Sequence, residues 1–265
     1  MNKKITKIIY ILVLILLLLI LTMLFSQDIL NFIGNLSNSF YRTIIEEKRY
    51  ILLFRGLCST LLISITSIIF GTVLGLIICY FRRSKNKILK TLSKIYINLI
   101  QGIPITVLLL TFYYIIFGKV NIEPNIVAIL TFSLYFSAYT SEIFRGALDT
   151  INISQVQSAY ALGFTKIQTL RFIIFPQALS YVIPVYKNEI VTLIKLTSIA
   201  GYISIMDLTK ASDIIRNRTY EAFFPLIITA IVYFIICYFI GKILDIIYAK
   251  INPRNNMGGK NVKNR

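Results

Sequence analysis

Long uncharged apolar runs dominate the chain and recur along most of its length. Runs of about 18 residues or more are long enough to cross the hydrocarbon core of a bilayer as helices. Five runs qualify and a sixth is interrupted by Lys187, Glu189 and Lys195; in chain order they are 8–25, 56–81, 95–118, 124–141, the interrupted 181–205, and 222–241. Because the runs are continuous, and barrel strands need only about 10 alternating residues, they predict helices. The pattern therefore predicts an all-α membrane protein with about six transmembrane helices.

Charge changes the picture by giving the predicted spans a direction. The formal net charge is +17 over 265 residues, which in a soluble protein would suggest nucleic acid as a partner. With the N-terminus inside, the inner segments hold 18 of the 28 Lys and Arg residues and the outer segments hold seven. Inner loops of membrane proteins carry such an excess. We therefore expect a multi-pass plasma-membrane protein with both termini cytoplasmic, basic tails that face anionic lipid, and no nucleic-acid partner.

The chain is expected to divide into three parts. Residues 1–50 form an N-terminal anchor helix and an external segment, since the apolar run exceeds the about 7–15 residues of a signal peptide and no cleavage pattern follows it. Residues 51–248 form the main membrane domain, and residues 249–265 form a polar cytoplasmic tail. Gly71 and Gly75 form a small-xxx-small pair that indicates either a close helix contact or chance.

Candidate chemistry for catalysis is sparse. The chain has no histidine, which removes the commonest metal ligand and general base. The three cysteines lie in apolar runs and offer neither a disulfide framework nor metal-binding spacing. We expect no catalytic residue and no metal site.

One polar segment, residues 146–180, has an unusually specific order for a connection between spans. Ser154 and Gln157 have the spacing of a capping box that starts a helix. Gly163 supplies a left-handed stop at the end of that helix. The segment is thus predicted to contain a short helix on the cytoplasmic side.

A second short helix is predicted directly after the glycine. Thr165 and Gln168 repeat the capping box, and this helix is expected to end before Pro176, which disfavours helix in the preceding residue. The first helix presents small residues, Ser158 and Ala159. Short helices are marginal alone in water, so something must bury one of its faces. The helix packs either against its own membrane helices or into another protein.

The segment resembles the EAA loop of ABC importer membrane subunits. That pattern is roughly Glu-Ala-Ala, three residues, Gly, and about a dozen residues to Leu-Pro. The corresponding positions are Gln157, Ser158, Ala159, Gly163, Phe175 and Pro176. The first two motif residues and the leucine therefore depart from the pattern.

The flanking sequence resembles the polar amino acid permease branch of that family. Residues 138–146 (AYTSEIFRG) are similar to its A-Y-x-S-E-I-x-R-G. Residues 188–198 (NEIVTLIKLTS) are similar to N-E-[FI] followed by L-[LI]-K-x-T-S, and residues 101–104 (QGIP) match R-G-T-P loosely. The resemblance covers about residues 53–245 and leaves the N-terminal anchor outside.

The resemblance implies a fold and a function. The fold would be a five-helix type I ABC permease core preceded by the anchor helix. The function would be that of a non-enzymatic permease subunit of an ATP-driven importer for a polar amino acid. The loop would dock on the ATPase through Gln157, Ser158, Ala159, Gly163, Phe164 and Pro176.

The resemblance also implies partners. They are a cytoplasmic ABC ATPase dimer, a second permease subunit (a copy or a paralogue) and an extracellular substrate-binding protein. The chain lacks the phosphate-binding pattern G-x-x-x-x-G-K-[ST]. It is therefore expected to bind no cofactor itself, with ATP and Mg held by the partner ATPase.

Ionisable residues inside apolar sequence are candidates for the substrate pathway, because they are costly in a membrane. Glu142 and Lys195 could supply opposite charges to a zwitterionic amino acid, and Thr197 and Ser198 could offer hydroxyl groups. In the alternative interpretation Glu142 pairs with Arg145, and the hydroxyls bond their own helix backbone.

Two other function classes compete with the importer subunit. A stand-alone ion-coupled transporter or channel would need a relay of acids within the spans, where only Glu142 and Glu189 occur. A membrane-embedded enzyme would need histidine or clustered carboxylates, and the sequence offers neither.

Overall fold

The computed structural model of the chain describes residue 15 and residues 36–251, and its described residues are helical, turn or irregular, with no strand among them. The prediction of an all-α membrane protein is confirmed. The predicted first span, 8–25, lies outside the described residues except for residue 15, as does the tail beyond residue 251. The division into anchor, membrane domain and tail stays a prediction.

Nine α-helices, two of them prolonged by a turn of a different helix type, lie within residues 50–251, and residues 36–40 before them are also helical. They are α1 (Tyr50–Arg82), α2 (Lys87–Gly102), α3 (Ile105–Leu110, prolonged by a π turn, Thr111–Ile116), α4 (Pro124–Asp149), α5 (Ile153–Ala161), α6 (Lys166–Thr169), α7 (Phe175–Leu196, prolonged by a 3-10 turn, Thr197–Ile203), α8 (Leu208–Thr219) and α9 (Phe223–Ile251). A π turn, Tyr41–Ile45, and a 3-10 turn, Glu46–Lys48, precede α1, and a further π turn, Leu170–Ile174, joins α6 to α7.

Within residues 36–251, four stretches are long and apolar enough to cross a membrane: α1, α4, the continuous helical stretch Lys166–Ile203, and α9. The predicted span 95–118 is not a straight helix. Instead α2 and the α3 stretch meet at an angle of 104°. The break lies at Ile103 and Pro104, which both have extended ψ angles, because proline disfavours helical backbone in the residue before it.

The closest packing in the bundle lies between α1 and α4. A Cβ atom added at Gly71 would lie 2.9 Å from both the Cβ of Phe136 and the carbonyl oxygen of Ser133. A Cβ added at Gly75 would collide with the hydroxyl of Thr140. The close-contact interpretation of this glycine pair is confirmed.

The short helix α8 is held against the start of α1 by a second close contact. A Cβ added at Gly56 would lie 2.7 Å from the carbonyl oxygen of Asp207, the residue that precedes α8. The backbone N–H of Leu208 donates to the hydroxyl of Thr60 at 3.1 Å. The first turn of α8 is therefore fixed to α1 through backbone atoms.

Asp207 is a fully buried acid that caps α8. Its carboxylate oxygens accept the backbone N–H groups of Thr209 at 3.0 Å and Lys210 at 3.2 Å. Desolvation nevertheless outweighs these bonds and raises the pKa of Asp207 to about 6. Burial disfavours the charged carboxylate more than the helix N-terminus favours it.

The close contact at Gly75 predicts that an added methyl group destabilises the chain at this position but not at Gly241. Gly75→Ala should destabilise the chain by about 1–3 kcal/mol, the usual effect of overpacking. Gly241→Ala, on α9, is the matched control because nothing lies within 4 Å of the added Cβ. Thermal unfolding of the purified chain, followed by circular dichroism, should show a lower Tm for Gly75→Ala alone. Equal melting of both variants would contradict the packing.

The buried acid predicts a pH-dependent stability. Because the folded pKa of Asp207 is raised, the unfolded chain ionises this group first, so stability falls as pH rises from about 4 to about 6. The rise in pKa from 3.8 to about 6 corresponds to about 3 kcal/mol. Asp207→Asn should flatten the dependence of Tm on pH over this window. Equal slopes of Tm against pH in the parent and in Asp207→Asn would refute the assignment.

Candidate functional site

The interspan segment, residues 150–180, joins α4 to α7 and contains the candidate docking residues. Helix α5 starts after Asn152, whose side-chain oxygen accepts the backbone N–H of Ser154 at 2.9 Å. The predicted capping box of Ser154 and Gln157 is wrong. Asn152 already has the extended backbone and short polar side chain of an N-cap, so Ser154 lies within the first turn.

The end of α5 is as predicted. Gly163 has φ of +84°, and the N–H groups of Gly163 and Phe164 donate to the carbonyl oxygens of Tyr160 and Ala159, both at 3.0 Å. This pair of bonds is the Schellman motif, which requires a left-handed residue. Nothing lies within 4 Å of a Cβ added at Gly163. The backbone conformation, and not packing within this chain, therefore favours glycine here.

The second helix of the segment starts as predicted. The hydroxyl of Thr165 accepts the N–H of Gln168 at 3.3 Å, and the side-chain oxygen of Gln168 accepts the N–H of Thr165 at 2.8 Å. This is a complete capping box. It satisfies two N–H groups that a helix start otherwise leaves unpaired.

The predicted stop at Pro176 is wrong, because the chain stays helical from Lys166 to Ile203. A π turn precedes the proline, and within it the N–H of Phe175 donates to the carbonyl oxygen of Leu170. Proline breaks a helix by removing a bond to the fourth preceding residue and by crowding its carbonyl group. In the π turn before Pro176 the hydrogen bond already reaches the fifth preceding residue instead of the fourth, so the proline does not end the helix. The interspan segment is therefore continuous with a membrane-crossing helix.

The interspan segment presents large apolar side chains to its surroundings. Ile153, Leu162 and Ile167 are 71%, 78% and 77% exposed, and Tyr160, Phe164 and Leu170 are also exposed. Contiguous exposed apolar side chains on an otherwise polar segment indicate an interaction surface. Of the predicted docking residues, Ala159 is buried, and the exposed ones are Gln157, Ser158, Gly163, Phe164 and Pro176.

A network of five charges joins the ends of α1 and α4 where the interspan segment leaves the bundle. Glu142 contacts Arg145 at 2.6 Å and Arg82 at 3.6 Å. Asp149 contacts Arg145 at 2.7 Å and also pairs with Arg83. This geometry favours the ion-pair interpretation of Glu142.

The other candidate pathway residues lie at a different level of the bundle. The hydroxyl of Thr197 is buried and donates to the carbonyl oxygen of Ile194 at 2.7 Å, as the backbone-bonding alternative expected. It also lies 3.4 Å from the hydroxyl of Ser64. Lys195 is exposed and Ser198 is partly buried.

The two opposite charges suggested for a zwitterion do not converge. The ring of Tyr186 stacks on Phe144 and meets Phe136 edge-on, which places it level with about residue 140 of the antiparallel helix α4. Lys195 lies nine residues beyond Tyr186, and Glu142 lies in the other direction. At 1.5 Å per residue, about 16 Å along the bundle separates Glu142 from Lys195.

Sequence reasoning assigned no role in the substrate pathway to the acid Glu189. One of its carboxylate oxygens is buried without a hydrogen-bond partner among the described residues. Two residues earlier, Lys187 is paired with Asp245 of α9 at 2.7 Å. An acid within an apolar run was the available signal, but its neighbours could not be read from the sequence.

These features define a multi-pass helical membrane protein in which an exposed helix pair continues into a membrane-crossing helix. Over residues 67–256 the chain matches the family described as binding-protein-dependent transport system inner membrane component. The chain belongs to this family, and the resemblance found in its sequence is confirmed.

The matches to individual relatives extend over most of each relative's length. The chain is 37% identical over 195 residues to a probable amino-acid ABC transporter permease protein, YckA, of Bacillus subtilis (strain 168), covering 73% of this chain and 85% of the relative. It is 30% identical over 211 residues to the L-cystine transport system permease protein TcyB of the same organism, covering 79% and 90%.

Solved structures agree in fold. The chain is similar to a chain in the crystal structure of an amino acid ABC transporter with histidines, with a TM-score of 0.70, 32% identity, and coverage of 77% of this chain and 95% of that chain. A chain of the MetNI methionine ABC transporter matches with a TM-score of 0.65 at 22% identity, covering 78% and 99%. The latter likeness concerns the fold alone.

Proposed function

We propose that the chain is the permease subunit of an ATP-driven importer for a polar amino acid, and that the interspan segment couples it to a separate ATPase. The observation that carries the proposal is the exposed apolar surface of α5 and α6 on a segment with defined caps at both helix starts. A helix of nine residues is marginal unless a partner covers one face. A cytoplasmic ATPase dimer supplies such a partner.

Helical continuity offers a route for coupling. A displacement of α6 is transmitted to α7 because Lys166–Ile203 is one helical stretch, widened but not interrupted before Pro176. The Lys187–Asp245 pair then links α7 to α9. An ATPase that moves the interspan segment would thereby move two membrane-crossing helices together.

The remaining partners follow from the same proposal. ATP and Mg bind the partner ATPase, and this chain binds no cofactor. A second permease subunit, a copy or a paralogue, completes the pathway, and an extracellular binding protein delivers the substrate. Relatives named for amino acids in general and for L-cystine support a polar amino acid as substrate. The unpaired oxygen of Glu189 is suited to the ammonium group of that substrate.

The proposed orientation places both termini in the cytoplasm of a plasma-membrane protein. It predicts that a cysteine at Asn217, exposed on α8, reacts with an impermeant thiol reagent added to intact cells in a cysteine-free background. A cysteine at Lys90, exposed on α2, should react only after the membrane is opened. Labelling of the Lys90 position in sealed cells would reverse the orientation.

Gly163 provides the test of coupling. A residue other than glycine at positive φ costs about 1–2 kcal/mol, and the crowded Cβ of valine makes this strain larger. Gly163→Val should therefore redirect α5, abolish substrate-stimulated ATP hydrolysis and stop uptake of glutamine or cystine in vesicles that contain the complete importer. Gly163→Ala should be milder.

The controls separate coupling from folding and from substrate choice. Gly241→Val adds the same side chain where nothing lies within 4 Å of the Cβ, and it should retain uptake. Parent-like hydrolysis and uptake by Gly163→Val would show that the segment is only a connection. Uptake of a sugar with no competition by any amino acid would refute the proposed substrate class.

A further inference from the structure

A cavity of about 730 Å³ lies between the ends of three membrane-crossing helices. Leu76 and Tyr80 of α1, Phe144 of α4, and Phe175 and Leu179 of α7 contribute apolar wall. Tyr80 and Phe175 are 75% and 58% exposed, so packing within the chain leaves these walls uncovered. The volume falls within the range of about 300–1,000 Å³ that small-molecule sites occupy.

The mouth of the cavity is polar and basic. Arg83, Ser84 and Lys85 line it, directly after the end of α1. Arg83 shares Asp149 with Arg145, whereas Lys85 is exposed and has no ion pair among the described residues. Four basic side chains therefore face two acidic ones in this region, a surplus of two positive charges: Arg82, Arg83, Lys85 and Arg145 against Glu142 and Asp149.

The arrangement of walls and mouth matches one class of ligand. Leu76 and Tyr80 lie within the predicted span 56–81 and Val182 within the predicted span 181–205, at the depth of acyl chains. Phe144, Phe175 and Leu179 lie just beyond the predicted spans, nearer the headgroups, together with Arg83 and Lys85. Basic pockets between membrane helices bind anionic headgroups, and lysine and arginine extend their charges to that level. A zwitterionic headgroup carries a cation of its own, which the surplus positive charge would repel.

We infer that this cavity is a binding site for an anionic phospholipid, with an acyl chain between α1 and α7 and the headgroup phosphate at Arg83 and Lys85. The lipid would brace the end of α1 against the first turns of α7, which form the end of the interspan segment. The inference depends on the placement of the three helices in a membrane and not on the proposed coupling role.

The test is native mass spectrometry of the full-length chain, released from micelles that contain phosphatidylglycerol or phosphatidylcholine with identical acyl chains. The parent should retain one phosphatidylglycerol about thirtyfold more often than phosphatidylcholine, as two surplus charges predict. Lys85→Glu changes the charge by two and should reduce this retention about thirtyfold. Ala178→Trp, which fills the cavity from α7, should remove it while phosphatidylcholine retention stays low.

A matched control distinguishes a site from general attraction. Lys90→Glu changes the charge equally but lies on α2 outside the cavity, and it should retain phosphatidylglycerol like the parent. Equal retention of the two lipids by the parent, or equal losses in Lys85→Glu and Lys90→Glu, would overturn the inference. Lys85 is exposed, so the Lys85→Glu comparison stands even where circular dichroism shows that Ala178→Trp is unfolded.

Discussion

Backbone contact between α1 and α4 is the constraint on which the rest of the bundle depends. Apolar side chains gain little by meeting each other inside a lipid, so membrane helices associate where small residues allow close approach. Gly71 and Gly75 provide that approach, against Phe136 and Thr140. It brings the ends of both helices together, so that the basic residues after α1 reach the acids of α4. The point at which the interspan segment leaves the bundle is therefore set by two glycines that lie about 10 and 17 Å before the end of α1.

The helix pair outside the bundle differs from the α1–α4 contact, because its conformation is fixed mainly by hydrogen bonds and less by burial. Asn152 starts α5, Gly163 ends it, and the Thr165 capping box starts the next helix. Most large apolar side chains of the segment stay exposed. These caps limit the conformations of the free segment, which lowers the ordering entropy that binding of a partner must offset.

Local signals were readable in the sequence, and contacts between distant residues were not. The straight membrane-crossing stretches, the left-handed glycine and the second capping box follow from a few neighbouring residues, whereas the bend within the predicted span 95–118 was not read. Asn152 was missed as a cap because Ser154 offers the same chemistry two residues later. The predicted helix end before Pro176 is wrong because the effect of a proline depends on the hydrogen-bond spacing of the turn that precedes it. The level of Glu142 relative to Lys195 depends on how two helices pair, which no local pattern records.

The charges on α7 are those expected of one subunit of a larger complex. Lys187 is neutralised by Asp245 within the chain, and this pair holds two helices together without exposing a lone charge to lipid. Glu189, two residues further, has a buried oxygen that no described residue satisfies. An unpaired carboxylate is expensive in a membrane, so retaining one is consistent with a partner supplied from outside the chain. Lys187 thus holds the bundle together, and Glu189 is left for the role toward the substrate that we propose for it.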